Sequence, residues 1–121
     1  MYYLTVTEHF SAAHQLRGYK GSCEALHGHN WKVDVEVYGR KVDGIGLLLD
    51  FKDLKTIVLS VLDQLDHTFL NDLEMFTDTN PSSELLAQHI YRSVADKVPA
   101  QVAVGSVTVW ESDNARARYC E

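Results

Sequence analysis

The chain has 121 residues, 45% of them hydrophobic and 23% charged, with a formal net charge of -6. That length fits a single domain, residues 1–121, which can bury roughly two-thirds of its unfolded surface without staples. The acidic balance argues against a broad nucleic-acid surface, which needs a basic face, and no run approaches the roughly 20 apolar residues that span a bilayer. Met1 to Glu8 lacks the basic segment and apolar core of a signal peptide. Two cysteines, Cys23 and Cys120, make no disulfide framework, so reduced thiols and a cytoplasmic location are expected.

In chain order, a first strand is expected over Tyr3 to Phe10, with Leu4, Val6 and Phe10 on one face. Asn30 to Tyr38 is a second, because Trp31, Val33, Val35 and Val37 alternate with Lys32, Asp34, Glu36 and Tyr38. Leu47 to Asp50 reads as a short third strand, completing an antiparallel meander. Asp50 can cap the helix that follows, where Leu54, Ile57, Val58, Val61, Leu62 and Leu65 recur at helical spacing. Asn80 as cap and Pro81 in the first turn open a second helix with a Leu85, Leu86, His89, Ile90 and Val94 stripe. Ser106 to Glu111 is a last, β-branched strand. The order β-β-β-α-α-β implies an α+β fold with both helices on one sheet face. Its open edges invite assembly into an oligomer.

His27-Gly28-His29 puts two imidazoles at i and i+2, on one face of an extended chain. If the first two strands form a hairpin, His14 comes level with them. Three neutral imidazoles with an open fourth position make a catalytic zinc site. His-x-His also arises by chance, and Cys23 as a fourth ligand would make the site structural and closed instead. His9 and His89 are read as non-ligands, His89 as packed on its helix stripe.

Beyond the histidines, Phe10-Ser11-Ala12-Ala13-His14 and Cys23-x-x-x-His27-Gly28-His29 resemble the 6-pyruvoyltetrahydropterin synthase and 6-carboxytetrahydropterin synthase family. So do Leu49-Asp50-Phe51-Lys52-Asp53-Leu54-Lys55, Leu65-Asp66-His67-x-x-Leu70-Asn71, Asn80-Pro81-Ser82-Ser83-Glu84 and Val109-Trp110-Glu111-Ser112. The segments follow in the family's order over nearly the whole chain. The resemblance implies a tunnelling fold: a four-stranded antiparallel sheet with two helices on one face, assembling into a β-barrel oligomer. The implied assembly is a homohexamer, a dimer of trimers, with active sites between subunits.

The resemblance also implies one Zn2+ per subunit on His14, His27 and His29, and 7,8-dihydroneopterin triphosphate as substrate. Cys23 matches the family's catalytic cysteine, and a nearby dication would favour its thiolate. Asp66 and His67 match its Asp-His pair, in which a carboxylate fixes the imidazole's tautomer for acid–base work. The same two residues could simply finish the first helix, where a cationic His is favoured. Glu111 matches the pterin anchor, its carboxylate accepting the 2-amino and N3 donors of the ring. Arg17, Lys20, Arg116 and Arg118 are candidates for the triphosphate, and Cys120 has no assigned role.

Glu24, beside Cys23, is a departure from the pattern and reads equally as a second base or a solvated loop residue. The short chain and the compact Cys23 to His29 spacing favour the 6-carboxy member of the family, acting in queuosine synthesis and releasing acetaldehyde and triphosphate. The 6-pyruvoyl reaction, or side-chain cleavage to 6-hydroxymethyl-7,8-dihydropterin for folate synthesis, are the alternatives.

Overall fold

The computed structural model of the chain describes residues 1–21 and 24–121. The alternating run around Trp31 forms a long strand, β2 (His27–Gly39), and the N-terminal segment forms β1 (Tyr2–His14). They pair antiparallel in unbroken register, from Tyr2 opposite Gly39 to His14 opposite His27. Both strands outrun the stretches their periodicity marked. β1 continues past Phe10 to His14, and β2 begins at His27 rather than Asn30. The extra residues carry the three histidines, so the ligand candidates sit on regular strand.

Side-chain alternation sorts the sheet into two faces. Val6, Phe10, Ala12 and His14 of β1 and Trp31, Val33, Val35 and Val37 of β2 are buried on one of them. On the other lie Thr7, His9, Lys32 and Asp34. α1 (Phe51–Leu62) and α2 (Ser83–Ala95) cover the buried face. Leu54, Val58, Val61 and Leu62 of α1 and Leu86, Ile90 and Val94 of α2 are almost wholly buried against it. Each such side chain contributes about 1.5–3 kcal/mol of transfer free energy. His89 is half-buried on α2, as its stripe position suggested.

The sheet differs from the expected four antiparallel strands. β4 (Ala103–Ser112) pairs antiparallel with β2, and β5 (Ala115–Tyr119) pairs antiparallel with β4. A two-residue strand, β3 (Thr68–Phe69), adds parallel to β1 at Ala12 and Ala13. The result is a mixed five-stranded sheet, ordered β3-β1-β2-β4-β5.

Leu47 to Asp50 is not a strand. Asp43 takes over that segment: its carboxylate accepts the N–H groups of Ile45 and Leu47, and Gly46 turns the chain at φ +88°. Leu48 then plugs the space beside Gly39, where a Cβ would come within 2.5 Å of its Cδ1. Asp50 does cap α1, accepting the Lys52 N–H at 2.8 Å. The cap of α2 is Ser82, whose Oγ accepts the Leu85 N–H, and not Asn80. Asn80 is occupied elsewhere, bonded through its amide to both the N–H and the carbonyl of Arg17.

Candidate metal centre

The site forms where the buried face of the sheet runs out from under the helices. His14 ends β1, His27 and His29 begin β2, and Glu111 lies near the end of β4, all on the helix side. One ligand atom from each lies within 4.8 Å of every other. The His14, His27 and His29 rings stand nearly perpendicular to one another, at 71°, 74° and 86°. Trp31 packs edge-on against His14 and His29 and closes the inner wall. Its indole N–H donates to the Ala12 carbonyl, so it presents only carbon to the cluster.

Hydrogen bonding fixes the tautomers. His14 Nδ1 lies 2.8 Å from the Pro81 carbonyl, and His27 Nδ1 lies 2.8 Å from the Ala25 carbonyl. A carbonyl only accepts, so both Nδ1 atoms carry hydrogen and, in the neutral rings, both Nε2 atoms carry lone pairs. Yet those two Nε2 atoms face each other at 2.9 Å. His29 Nε2 is buried without a hydrogen-bond partner, although Glu111 Oε1 lies 2.9 Å away. One shared proton would satisfy a single pair, whereas a divalent ion would satisfy all four donors. Imidazoles braced by carbonyls at their second nitrogen are the usual partners of such an ion. Burial lowers the His29 pKa, with Glu111 opposing and the neighbouring histidines adding to the effect. It therefore favours the neutral, ligating form. The donor set fits a transition metal of the class that imidazole prefers.

Of the other residues singled out from sequence, Glu24 joins the cluster's rim. Its Oε1 is 3.8 Å from His27 Nε2 and accepts the Leu16 N–H. Cys23 lies outside the described residues. Asp66 and His67 are paired, Nδ1 to Oδ1 at 3.0 Å, but on the edge of the sheet rather than with the histidines. Asp66 Oδ1 accepts the Ser11 N–H, and the His67 N–H donates to the Ser11 carbonyl. Ser11 precedes His14 by three residues, about 10 Å of strand. The His67 side chain is 83% exposed. The Ser11 hydrogen bond, helped by His67, holds the Asp66 carboxyl below its ordinary range against the opposing effect of desolvation. The pair is thus an ionised carboxylate with an accessible imidazole.

The cations separate clearly. Arg116 and Arg118 lie on the helix-free face with Trp110 and Thr108, opposite to the side that Glu111 occupies. Arg116 and Lys32 stack on the Trp110 ring at 4.4 and 4.1 Å. Lys20 sits in the loop between β1 and β2, beside Tyr19. Arg17 is engaged internally: its guanidinium donates to the carbonyls of Phe76, Thr79 and Asn71. Arg17→Ala should therefore lower stability by about 1.5–3 kcal/mol, the range for charged hydrogen bonds, measured by urea unfolding. Arg17→Lys should recover little, since a point charge cannot span three carbonyls. A variant of unchanged stability but raised KM would return Arg17 to the substrate.

Two neighbours of the centre escaped the sequence reading. The Pro81 carbonyl orients His14, and Ser83 Oγ donates to Glu111 Oε2 at 3.2 Å. Both belong to the segment marked only as a helix start.

The sequence model for 6-pyruvoyl tetrahydropterin synthase matches residues 3–121. The chain belongs to this family. Two curated relatives carry different members' names. The 6-carboxy-5,6,7,8-tetrahydropterin synthase of Haemophilus influenzae is 29% identical over 137 aligned positions, covering 93% of this chain and 94% of its own. The 6-pyruvoyl tetrahydrobiopterin synthase of Poecilia reticulata is 32% identical over 126, covering 92% and 84%. Among solved structures, the 6-pyruvoyl tetrahydropterin synthase of Caenorhabditis elegans superposes with a TM-score of 0.85 at 28% identity, covering 99% of this chain and 95% of the other. The chain is therefore a lyase-type enzyme of the tetrahydropterin synthase family, with an α+β fold that its solved members share.

Proposed function

We propose that this enzyme converts 7,8-dihydroneopterin triphosphate and water to 6-carboxy-5,6,7,8-tetrahydropterin, acetaldehyde and triphosphate, with one zinc ion per subunit, in queuosine biosynthesis. The observation that carries the reading is the convergence of His14, His27 and His29, with His14 and His27 Nε2 2.9 Å apart and His29 Nε2 buried without a hydrogen-bond partner. Three imidazoles are a catalytic donor set for zinc. Bound there, zinc would supply Lewis acidity to the substrate's side-chain hydroxyls.

The protein's own residues do the rest. Glu111 holds the pterin ring through its 2-amino and N3 donors. Cys23, four residues before His27 in the sequence, takes a proton from the activated side chain. Glu24, whose Oε1 lies 3.8 Å from His27 Nε2, acts as a second base. Asp66 keeps His67 oriented, and His67 returns or removes protons at the reacting carbons. His67 stands exposed at the sheet edge, which suits a site completed by a neighbouring subunit in a homohexamer. No helix among the described residues is long and apolar enough to cross a membrane. From two cysteines that make no disulfide framework, we read the enzyme as cytoplasmic.

The Poecilia relative's name favours one second reading, triphosphate elimination to the 6-pyruvoyl product. Incubation of the zinc-loaded enzyme with 7,8-dihydroneopterin triphosphate, followed by mass spectrometry, separates them. The expected product is 6-carboxy-5,6,7,8-tetrahydropterin. The 6-pyruvoyl product, or 6-hydroxymethyl-7,8-dihydropterin, in its place would reassign the reaction, and no pterin product would overturn the proposal.

A further inference from the structure

We propose that Asn80 is a positioning residue of the metal centre: by clamping the backbone of Arg17 it fixes the Pro81 carbonyl on His14 Nδ1, and with it the plane and tautomer of that ring, a role that rests on the reading of the three histidines as the metal site. β1 stays held past His14, where its regular strand ends. Along its outer edge the grip passes from group to group of the segment 66–80. Asp66 and His67 hold Ser11, and β3 pairs at Ala12 and Ala13. Beyond β3, two side-chain amides take over from the backbone. Asn71 accepts the Gln15 N–H at 2.9 Å and donates to the Gln15 carbonyl at 2.7 Å. Asn80 does the same at Arg17, accepting at 2.8 Å and donating at 2.9 Å. A primary amide carries one acceptor and a donor side by side, and so reproduces the two-bond exchange of paired strand residues.

Pro81 explains why a side chain is needed there. It has no N–H to give to β1, and its ring keeps Asn80 extended. The buried Pro81 carbonyl nonetheless has to meet His14 Nδ1 at 2.8 Å. Among the described residues, the Asn80 amide is all that bonds residues 80 and 81 to β1 besides His14 itself. Without it, His14 would have to hold the carbonyl that is meant to hold His14. The Asn80–Arg17 pair lies at the surface, whereas His14 is 2% exposed. Losing the pair should therefore disturb the ring far more than the fold.

The test compares the whole protein with Asn80→Ala and Asn80→Asp, both checked for folding by circular dichroism. Zn2+ affinity is read by competition with a chromophoric chelator. NMR follows the exchange with water of the Nδ1–H protons of His14 and His27, and His27, braced by the Ala25 carbonyl, is the internal control. Asn80→Ala should bind Zn2+ about tenfold more weakly, the lower end of what loss of an outer partner costs a metal site. Its His14 Nδ1–H should exchange faster, while His27 keeps the parent's rate. Asn80→Asp keeps the acceptor for the Arg17 N–H and loses the donor to the Arg17 carbonyl, so it should fall between. Parent affinity and an unchanged His14 rate in Asn80→Ala would overturn the proposal and leave the histidine site intact. Equal acceleration at His14 and His27 would make Asn80 a general tether of the fold and overturn it too. If Asn80→Ala does not fold, Asn80→Asp decides by the same two readouts. A parent protein that takes up no zinc would overturn the metal reading and the role of Asn80 with it.

Discussion

His14→Ala should leave the protein without metal and without activity. His14 is the most buried member of the cluster, 2% exposed, and the only one whose second nitrogen is held from the helix layer, by the Pro81 carbonyl. Removing the imidazole takes away one donor, breaks that brace and leaves a cavity under Trp31. Metal content measured by plasma emission should drop from about one ion per chain to a trace. Loss of several kcal/mol of metal assistance corresponds to a rate lower by on the order of 1,000-fold. Stability should fall as well, by about 2–4 kcal/mol between metal-free proteins, from the cavity and the lost hydrogen bond. Zinc at about 1,000 times its Kd should raise the parent's stability by about 4 kcal/mol and the variant's by almost nothing. His9→Ala is the control. His9 lies exposed on the opposite face of the same strand, and its loss should stay within about 0.5 kcal/mol with full metal. Full metal occupancy in His14→Ala would remove His14 from the ligand set.

Much of this centre could be read from the chain because strand geometry is so regular. His27 and His29 had to share a face on any extended chain, and a hairpin had to bring His14 level; the register pairs His14 with His27. Trp31 to Tyr38 announced its strand by alternation, since one side faces the helices and the other does not. Where a local polar group outweighs the pattern, the pattern misleads. Leu47 to Asp50 look like strand, but the Asp43 carboxylate captures the N–H groups of Ile45 and Leu47 and bends the chain. Asn80 has the chemistry of a cap, yet its amide is committed to Arg17, 63 residues away, a pairing that no local signal contains. β5 was hidden by composition: Ala115 to Tyr119 alternates, but its outward residues are arginines and its inward ones are only Ala117 and Tyr119. β3 has two residues and exists because β1 offers Ala12 and Ala13 as a template. The family resemblance marked Asp66 and His67 as an acid–base pair and implied active sites between subunits; the two residues do pair, on the edge of the chain's sheet and apart from its own histidines.

That separation leads to the second large effect, recovery of activity by mixing two dead variants. Cys23→Ala and the double variant Asp66→Ala, His67→Ala should each be inactive alone. The Asp66–His67 pair is firmly attached where it is: both residues bond to Ser11, and His67 adopts a left-handed φ of 57°, a conformation that costs about 1–3 kcal/mol and is kept by its surroundings. It will not swing inward to reach its own cluster. β1 is also open along its outer edge before Ser11, and β5 along its own, so a second chain has backbone groups to pair with. If the pair serves a neighbour's metal, unfolding and refolding the two variants together at equal amounts should restore activity. With random assortment, a site needs an intact Cys23 from one chain and an intact pair from another, each with a chance of one half. About a quarter of the parent's activity should return. The recovered rate should vary with the mixing ratio as the product of the two fractions, peaking at equal amounts. A mixture as inactive as its components, in an assembly shown by light scattering to contain both chains, would place the pair and the cysteine in the same subunit's site. His67 would then have to reach its own cluster by a rearrangement of the Ser11 edge, and loss of the Asp66 carboxylate would be felt first as loss of that edge's order rather than of catalysis.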